Sequence, residues 1–156
     1  MRRYSSITTL LTGLLLIAAC GGTKSGDKSA DKAQTTFDFG RSTTLESLYS
    51  IISDILNRYN YQRTQLGTPT LIETDWRSAA PDTNEAKQGI FETRHKLVVS
   101  MTARRDVFIA TLRVTNEAHF GSGPWVKSNP SPNLIKTIQA MQRQTKLELS
   151  RYIQQW

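Results

Sequence analysis

The sequence predicts an α+β fold: one two-layer domain in which an antiparallel sheet of about four strands carries two helices on one face. Three observations carry this. Residues 91–102 alternate apolar and polar side chains, and residues 107–120 return with the same period of two, as a sheet that is wet on one side requires. Two other stretches space their apolar residues three and four apart, the period of a helix with one buried stripe. The folding part, residues 36–156, is long enough for one hydrophobic core, and no internal repeat divides it.

The elements follow in order. In Thr36-Phe37-Asp38-Phe39 the two phenylalanines share one face of a short strand. Thr43-Thr44-Leu45-Glu46 has the Thr-x-x-Glu spacing of a capping box, in which a hydroxyl and a carboxylate satisfy the free N–H groups of a helix start. Leu45, Leu48, Tyr49, Ile52, Ile55, Leu56 and Tyr59 then predict an amphipathic helix over 44–60. Gly67 and Pro69 interrupt the chain, and TLIETDWR reads as a strand with Ile72, Thr74 and Trp76 toward the core. Residues 79–89, AAPDTNEAKQG, read as a polar loop.

The next strand sets Phe91, Thr93, His95, Leu97, Val99 and Met101 on the apolar face and Glu92, Arg94 and Lys96 on the other. Ala103-Arg104-Arg105-Asp106 turns the chain, and Phe108, Ala110, Leu112 and Val114 continue the apolar face. With that turn, partner numbers sum to about 209, so His95 is expected opposite Val114 and His119 near Ile90. Gly121, Gly123, Pro124 and Pro130 mark a second loop. Ser131-Pro132 starts the last helix, where proline's missing N–H costs nothing, and Leu134, Ile135, Ile138, Met141, Thr145, Leu149, Tyr152 and Trp156 form its stripe.

Ahead of the domain the chain reads MRRYSSITTLLTGLLLIAACGG. Two arginines precede an apolar run of about ten residues, where a membrane-spanning helix needs about 20. A basic start, a short apolar centre and a small-residue end make a secretory signal peptide. Leu16-Ile17-Ala18-Ala19-Cys20 resembles the lipobox of bacterial lipoproteins, and Cys20 is the only cysteine of 156 residues. The resemblance implies a signal peptide over residues 1–19, cleavage before Cys20, and acylation of its thiol with palmitate among the chains. Each buried CH₂ contributes about 0.8 kcal/mol, so one chain holds weakly, while the three that the family carries hold durably. Gly21, rather than an aspartate, implies the outer membrane by the same resemblance, with the domain facing the periplasm. Residues 20–35 then comprise the lipidated cysteine and a flexible tether, GGTKSGDKSADKAQ, whose composition supports a reach of about 20 Å and no packed core.

The chain has 20 Lys and Arg against 13 Asp and Glu, a net charge of +7; without Arg2 and Arg3 the balance is 18 against 13, or +5. Export removes nucleic acid as a partner for this charge. The membrane reached through the lipid and an envelope protein remain as expected partners. A lone cysteine excludes an internal disulfide and a thiolate metal site.

The order of elements, together with Ile72-Glu73-Thr74-Asp75-Trp76, is similar to the helix-grip domains of small envelope lipoproteins, component C of the outer-membrane β-barrel assembly machinery. That family carries two such domains and a long N-terminal segment; here there is one domain and a short tether. The resemblance implies a helix-grip arrangement and a non-enzymatic accessory role.

Candidate chemistry is sparse. A metal needs three or four converging ligands, and the two histidines, His95 and His119, are not placed as partners. His95 reads as a core-edge residue with a hydrogen bond. Glu73 and Asp75, about 7 Å apart on one strand, have the residue types of acid–base catalysis, but their face predicts a solvent-facing pair bonded to Arg94 or Lys96. No nucleophile motif or phosphate loop is present, so no enzyme activity, metal or cofactor is expected. The candidate partner-binding surface is Arg94, Lys96 and Arg113 on the outer sheet face, Arg104 and Arg105 at the turn, and Trp125 in GSGPW. Trp76 and Trp156 are expected in the core. The expected function is an outer-membrane lipoprotein serving as a scaffold or accessory subunit of an envelope complex. The alternative is a binding module for a small apolar or anionic ligand, with a pocket lined by Leu97, Val99, Leu112, Ile52 and Tyr49.

Overall fold

The computed structural model describes residues 34–64 and 68–153. The expected signal peptide, Cys20, most of the expected tether and Trp156 lie outside the described residues. In chain order the elements are β1 (Gln34–Ser42), α1 (Leu45–Arg58), β2 (Leu71–Glu73), β3 (Arg77–Ala79), α2 (Thr83–Lys87), β4 (Glu92–Arg104), β5 (Val107–His119), β6 (Val126–Lys127) and α3 (Pro132–Ile153). They form an α+β fold with one antiparallel, open sheet in the order β1-β5-β4-β2; β3 also pairs with β4, and β6 with β5. Helices α1 and α3 pack on each other and on one face of the sheet.

The count is six strands and three helices among the described residues, against an expected four and two. The additions are short. The expected strand over 70–77 is two pieces, the loop over 79–89 contains α2, and the second loop contains β6. Helix α2 has its own start signal: the Asp82 carboxylate accepts from the N–H groups of Asn84 and Glu85, and Glu85 accepts from the Asp82 N–H. At α1 the cap is Thr44 rather than Thr43. Its hydroxyl accepts from the Ser47 N–H at 3.4 Å, and Glu46 lies in the first turn, where a negative charge suits the helix dipole. Ser131 caps α3 through the Leu134 N–H.

Strands β4 and β5 form a two-residue hairpin turning at Arg105-Asp106, with Arg105 at φ 52°. The tighter turn moves the register by two residues from the expected one: His95 faces Asn116, and His119 faces Glu92. Because side chains alternate with period two, this shift keeps every residue on its expected face.

A one-residue irregularity has the opposite consequence. Glu73 pairs with Val98, whereas Arg77 pairs with His95, so the chain between them carries one residue more than β4 opposite. Such a bulge exchanges the two faces beyond it. Ile72 and Thr74 are buried, as expected, but Trp76 is 38% exposed and lies on the outer face, not in the core. Thr74 fixes the bulge: its hydroxyl accepts from the Leu97 N–H, and its own N–H donates to the Leu97 carbonyl, both at 2.9 Å.

β1 is also bulged, between Asp38 and Gly40. Phe39 is inserted there and fully buried, and Gly40 faces Ala110 beneath α3. Gly40 has φ 120°, and a Cβ at this position would stand 2.6 Å from Leu149 Cδ1. The core joins Phe39 to Leu48, Ile52, Ile55 and Leu56 of α1, Leu97, Val99, Leu112 and Val114 of the sheet, and Ile138 and Met141 of α3. Each such side chain, fully buried, contributes about 1.5–3 kcal/mol. Of the expected α3 stripe, Tyr152 is exposed.

Candidate functional site

Leu97, Val99, Leu112 and Ile52 are fully buried, and Tyr49 packs against them, so the expected apolar pocket between helix and sheet is filled core. The inner sheet face changes chemistry just beyond. After Leu97 comes His95, paired with Asn116; after that comes Thr93, paired with Ala118. By this level α1 has ended and α3 is only beginning. A cavity of about 420 Å³ opens there. The sheet lines it with His95, Asn116 and Thr93. Tyr61 after α1, Arg77 of β3, Asp82 and Glu85 at α2, and Ser131 to Thr137 at the start of α3 line the rest.

His95, Asn116, Thr93 and Tyr61 are all at least nine-tenths buried. A buried polar group costs about 1–3 kcal/mol unless it is bonded. The Tyr61 hydroxyl and His95 Nε2 share a 2.9 Å hydrogen bond. Asn116 Nδ2 donates to Ser128 Oγ and to the Asn129 carbonyl, and Thr93 Oγ1 donates to the Ala79 carbonyl. Burial disfavours the imidazolium, and the Arg77 guanidinium adds repulsion, so the His95 pKa falls to about 4 and the ring is neutral at pH 7. Burial also raises the Tyr61 hydroxyl above its usual value. Arg77 donates to the Tyr59 carbonyl at 2.9 Å, and its guanidinium carbon lies 5.2 Å from the Tyr61 ring centre.

The outer face carries an alternation of rings and charges. The Arg94 guanidinium carbon lies 4.5 Å from the Trp76 ring centre and 4.3 Å from that of Trp125, and Arg94 is ion-paired to Glu117 at 2.7 Å. Lys96 lies 5.3 Å from the Trp76 ring centre and is ion-paired to Glu73. The expected pairing of Glu73 thus falls on Lys96, while Asp75 is left exposed beside the bulge. Trp125 also packs on His119, with ring centres 5.2 Å apart.

The structure therefore brings Arg94, Lys96 and Trp125 into one neighbourhood and neutralises both cations within it. Arg104 and Arg105 stand at the hairpin turn, ten residues or about 33 Å along β4 from Arg94. Arg113, opposite Val98, is exposed between the two ends. The six residues do not form one basic patch.

A different feature lies at the end of the sheet away from the turn. Phe91 is 72% exposed, Phe120 49% and Val126 49%. Phe91 donates its N–H to the His119 carbonyl, and Val126 pairs with Ala118, so all three stand at the same end of the sheet. Among the described residues, no three of His, Cys, Asp and Glu converge as metal ligands, and no helix is long and apolar enough to cross a membrane.

Sequence reasoning missed Tyr61, Arg77 and Asn116. The available signal was the hairpin's inner face, where His95, Thr93 and Asn116 interrupt an otherwise apolar series.

The class defined by this architecture is an α+β domain with an open antiparallel sheet and helices on one face. No protein-family model matches the chain, and no curated protein does. Among solved structures, it is similar to the uncharacterized conserved protein YugN from Geobacillus kaustophilus HTA426, at 16% identity and a TM-score of 0.40, over 72% of this chain and 95% of that one.

Proposed function

We propose that this chain is an outer-membrane lipoprotein serving as a non-enzymatic scaffold or accessory subunit of an envelope complex. Acylated Cys20 holds it, residues 21–34 give slack, and the domain docks through the end of the sheet. The observation that carries the docking reading is the joint exposure of Phe91, Phe120 and Val126 at the end of the sheet away from the hairpin turn. Isolated exposed apolar side chains are ordinary; a contiguous group marks a contact surface. The tether favours the same end. Gln34 pairs with Thr115, five residues or roughly 17 Å along β5 from Phe120, so the chain enters the sheet toward the exposed end and away from the turn. The helix-grip likeness belongs to this reading: α1 and α3 lie on one face of the sheet, and Ile72–Trp76, the segment similar to the barrel-assembly lipoproteins, runs through β2 toward β3. A role in outer-membrane protein assembly is the most specific form of the proposal.

The test is site-specific photo-crosslinking in envelopes with the full chain. A photoreactive residue replacing Phe91 or Phe120 is expected to capture one discrete protein, while the same residue replacing Asp106, at the opposite end of the hairpin, captures none. Equal capture from both ends, or none from Phe91 and Phe120, contradicts docking through this surface.

A further inference from the structure

Beyond docking, the polar cavity poses its own physical problem. A sheet end that needed only to be closed would carry Leu or Val at positions 93, 95 and 116, as it does at 97, 99, 112 and 114. Instead it buries three polar side chains whose protein bonds use only part of their capacity. With Nε2 bonded to Tyr61, His95 Nδ1 makes no hydrogen bond among the described residues; with Nδ2 donating twice, Asn116 Oδ1 makes none either. No fully buried side-chain nitrogen or oxygen lacks a partner there, so both atoms reach open space. That space is the cavity both residues line.

The charges around it do not select an anion, because two carboxylates, Asp82 and Glu85, stand against one guanidinium, Arg77. Arg77 is held by the Tyr59 carbonyl and the Tyr61 ring. The carboxylates of Asp82 and Glu85 are held by their capping box. At the start of α3, the Leu134 N–H is taken by Ser131 and Pro132 has none, which leaves little to cradle an anion. What the cavity offers are uncharged donors and acceptors at fixed positions. A hydroxyl suits them, because it donates and accepts at once and so satisfies His95 Nδ1 in either tautomer as well as the Asn116 oxygen. At about 420 Å³ the cavity lies toward the small end of the roughly 300–1,000 Å³ range of small-molecule sites.

We infer that this cavity is a binding site for a small neutral polyhydroxylated ligand, of the sugar class, seated on His95 and Asn116. This assignment stands whether or not the domain docks through Phe91 and Phe120. It departs from the apolar or anionic ligand that the sequence suggested, since the apolar space is filled and the one cation at the cavity is outnumbered by two carboxylates.

The experiment is a titration of the ¹⁵N-labelled protein with glucose, galactose, N-acetylglucosamine and a sugar phosphate, followed by amide chemical shifts. Saturable shifts with at least one neutral sugar are expected, at dissociation constants of about 1–10 mM. They should centre on Tyr61, Arg77, His95, Asn116 and Asn133. Asn116→Leu should weaken binding at least tenfold. Asn133→Trp, an exposed change at the mouth that spares the core, should do the same and covers the case in which Asn116→Leu fails to fold. Any of three results overturns the assignment: no saturable shift with any neutral sugar up to about 100 mM, shifts centred elsewhere, or tenfold tighter binding of the sugar phosphate than of its parent sugar.

Discussion

Replacing Gly40 with alanine is expected to remove about 2–6 kcal/mol of folding stability, a large part of what a domain of this size holds. Two effects add. Gly40 sits at φ 120°, where a residue with a Cβ is strained by about 1–3 kcal/mol. The new methyl would also stand 2.6 Å from Leu149 Cδ1, and overpacking a filled core costs about 1–3 kcal/mol. Leu149 is itself buried against the core, so moving it aside gives up packing. Gly89 is the control. It has φ 80°, yet nothing lies within 4 Å of its would-be Cβ, so Gly89→Ala carries the backbone cost alone. Urea unfolding should place the Gly40→Ala midpoint well below that of Gly89→Ala. Equal midpoints would mean that α3 does not press on β1 as described. Leu149→Ala should cost less in the Gly40→Ala background than in the wild type, as coupled neighbours do.

The second large effect is in the pH dependence. The folded-state pKa of His95 lies at about 4, below the 6.5 of an ordinary histidine. The unfolded chain therefore binds a proton more readily than the folded one. The stability from keeping the ring neutral is fully present above pH 6.5 and is lost as the pH falls toward about 4. The full span corresponds to about 3 kcal/mol. Asp38 acts elsewhere. Partial burial pushes its carboxyl up, but the Gly40 N–H it accepts and the Lys146 ammonium beside it hold it below 3.8, so its contribution is lost only in stronger acid. Denaturation followed from pH 7 to pH 4.5 should show a steady loss in the wild type and a much flatter profile in His95→Gln. The glutamine can still bond Tyr61 but takes up no proton. A variant as acid-sensitive as the wild type would remove His95 as the cause.

The large elements were legible in the sequence because their signals are periodic and long. Residues 91–102 and 107–120 alternate over more than ten positions each, and Leu48, Ile52, Ile55 and Leu56 mark one helical stripe. The two-residue error in hairpin register left the faces intact because it was an even number. The bulge between Glu73 and Arg77 adds one residue, and that odd step carried Trp76 to the outer face. Alternation alone does not reveal such a step, because a bulge is set by what the partner strand and Thr74 demand. The pieces β3 and β6 are too short to show a period, whereas α2 carries a readable start signal in the Asp82 to Glu85 spacing, inside a stretch whose polar composition otherwise predicts a loop.

The candidate site was legible only in fragments. His95 stood out as a polar residue on an apolar face, but the residues that give it a role come from after α1, from β3 and from the start of α3. Only the fold brings Tyr61, Arg77 and Ser131 to it. The basic residues were visible as a set, yet the sequence did not show that Glu117 and Glu73 pair with two of them, nor that two tryptophans enclose Arg94. The exposed end at Phe91 and Phe120 went unread for the same reason: position 91 continues an inward-facing series, and only the ends of the covering helices decide where the inside stops.

The anchor is the claim on which the proposed role turns, and the mass of the N-terminal peptide from protein purified out of washed membranes tests it most directly. The account predicts a peptide that begins at Cys20 and carries acyl chains. A membrane-derived peptide that begins elsewhere, or that holds Cys20 as a free thiol, contradicts it.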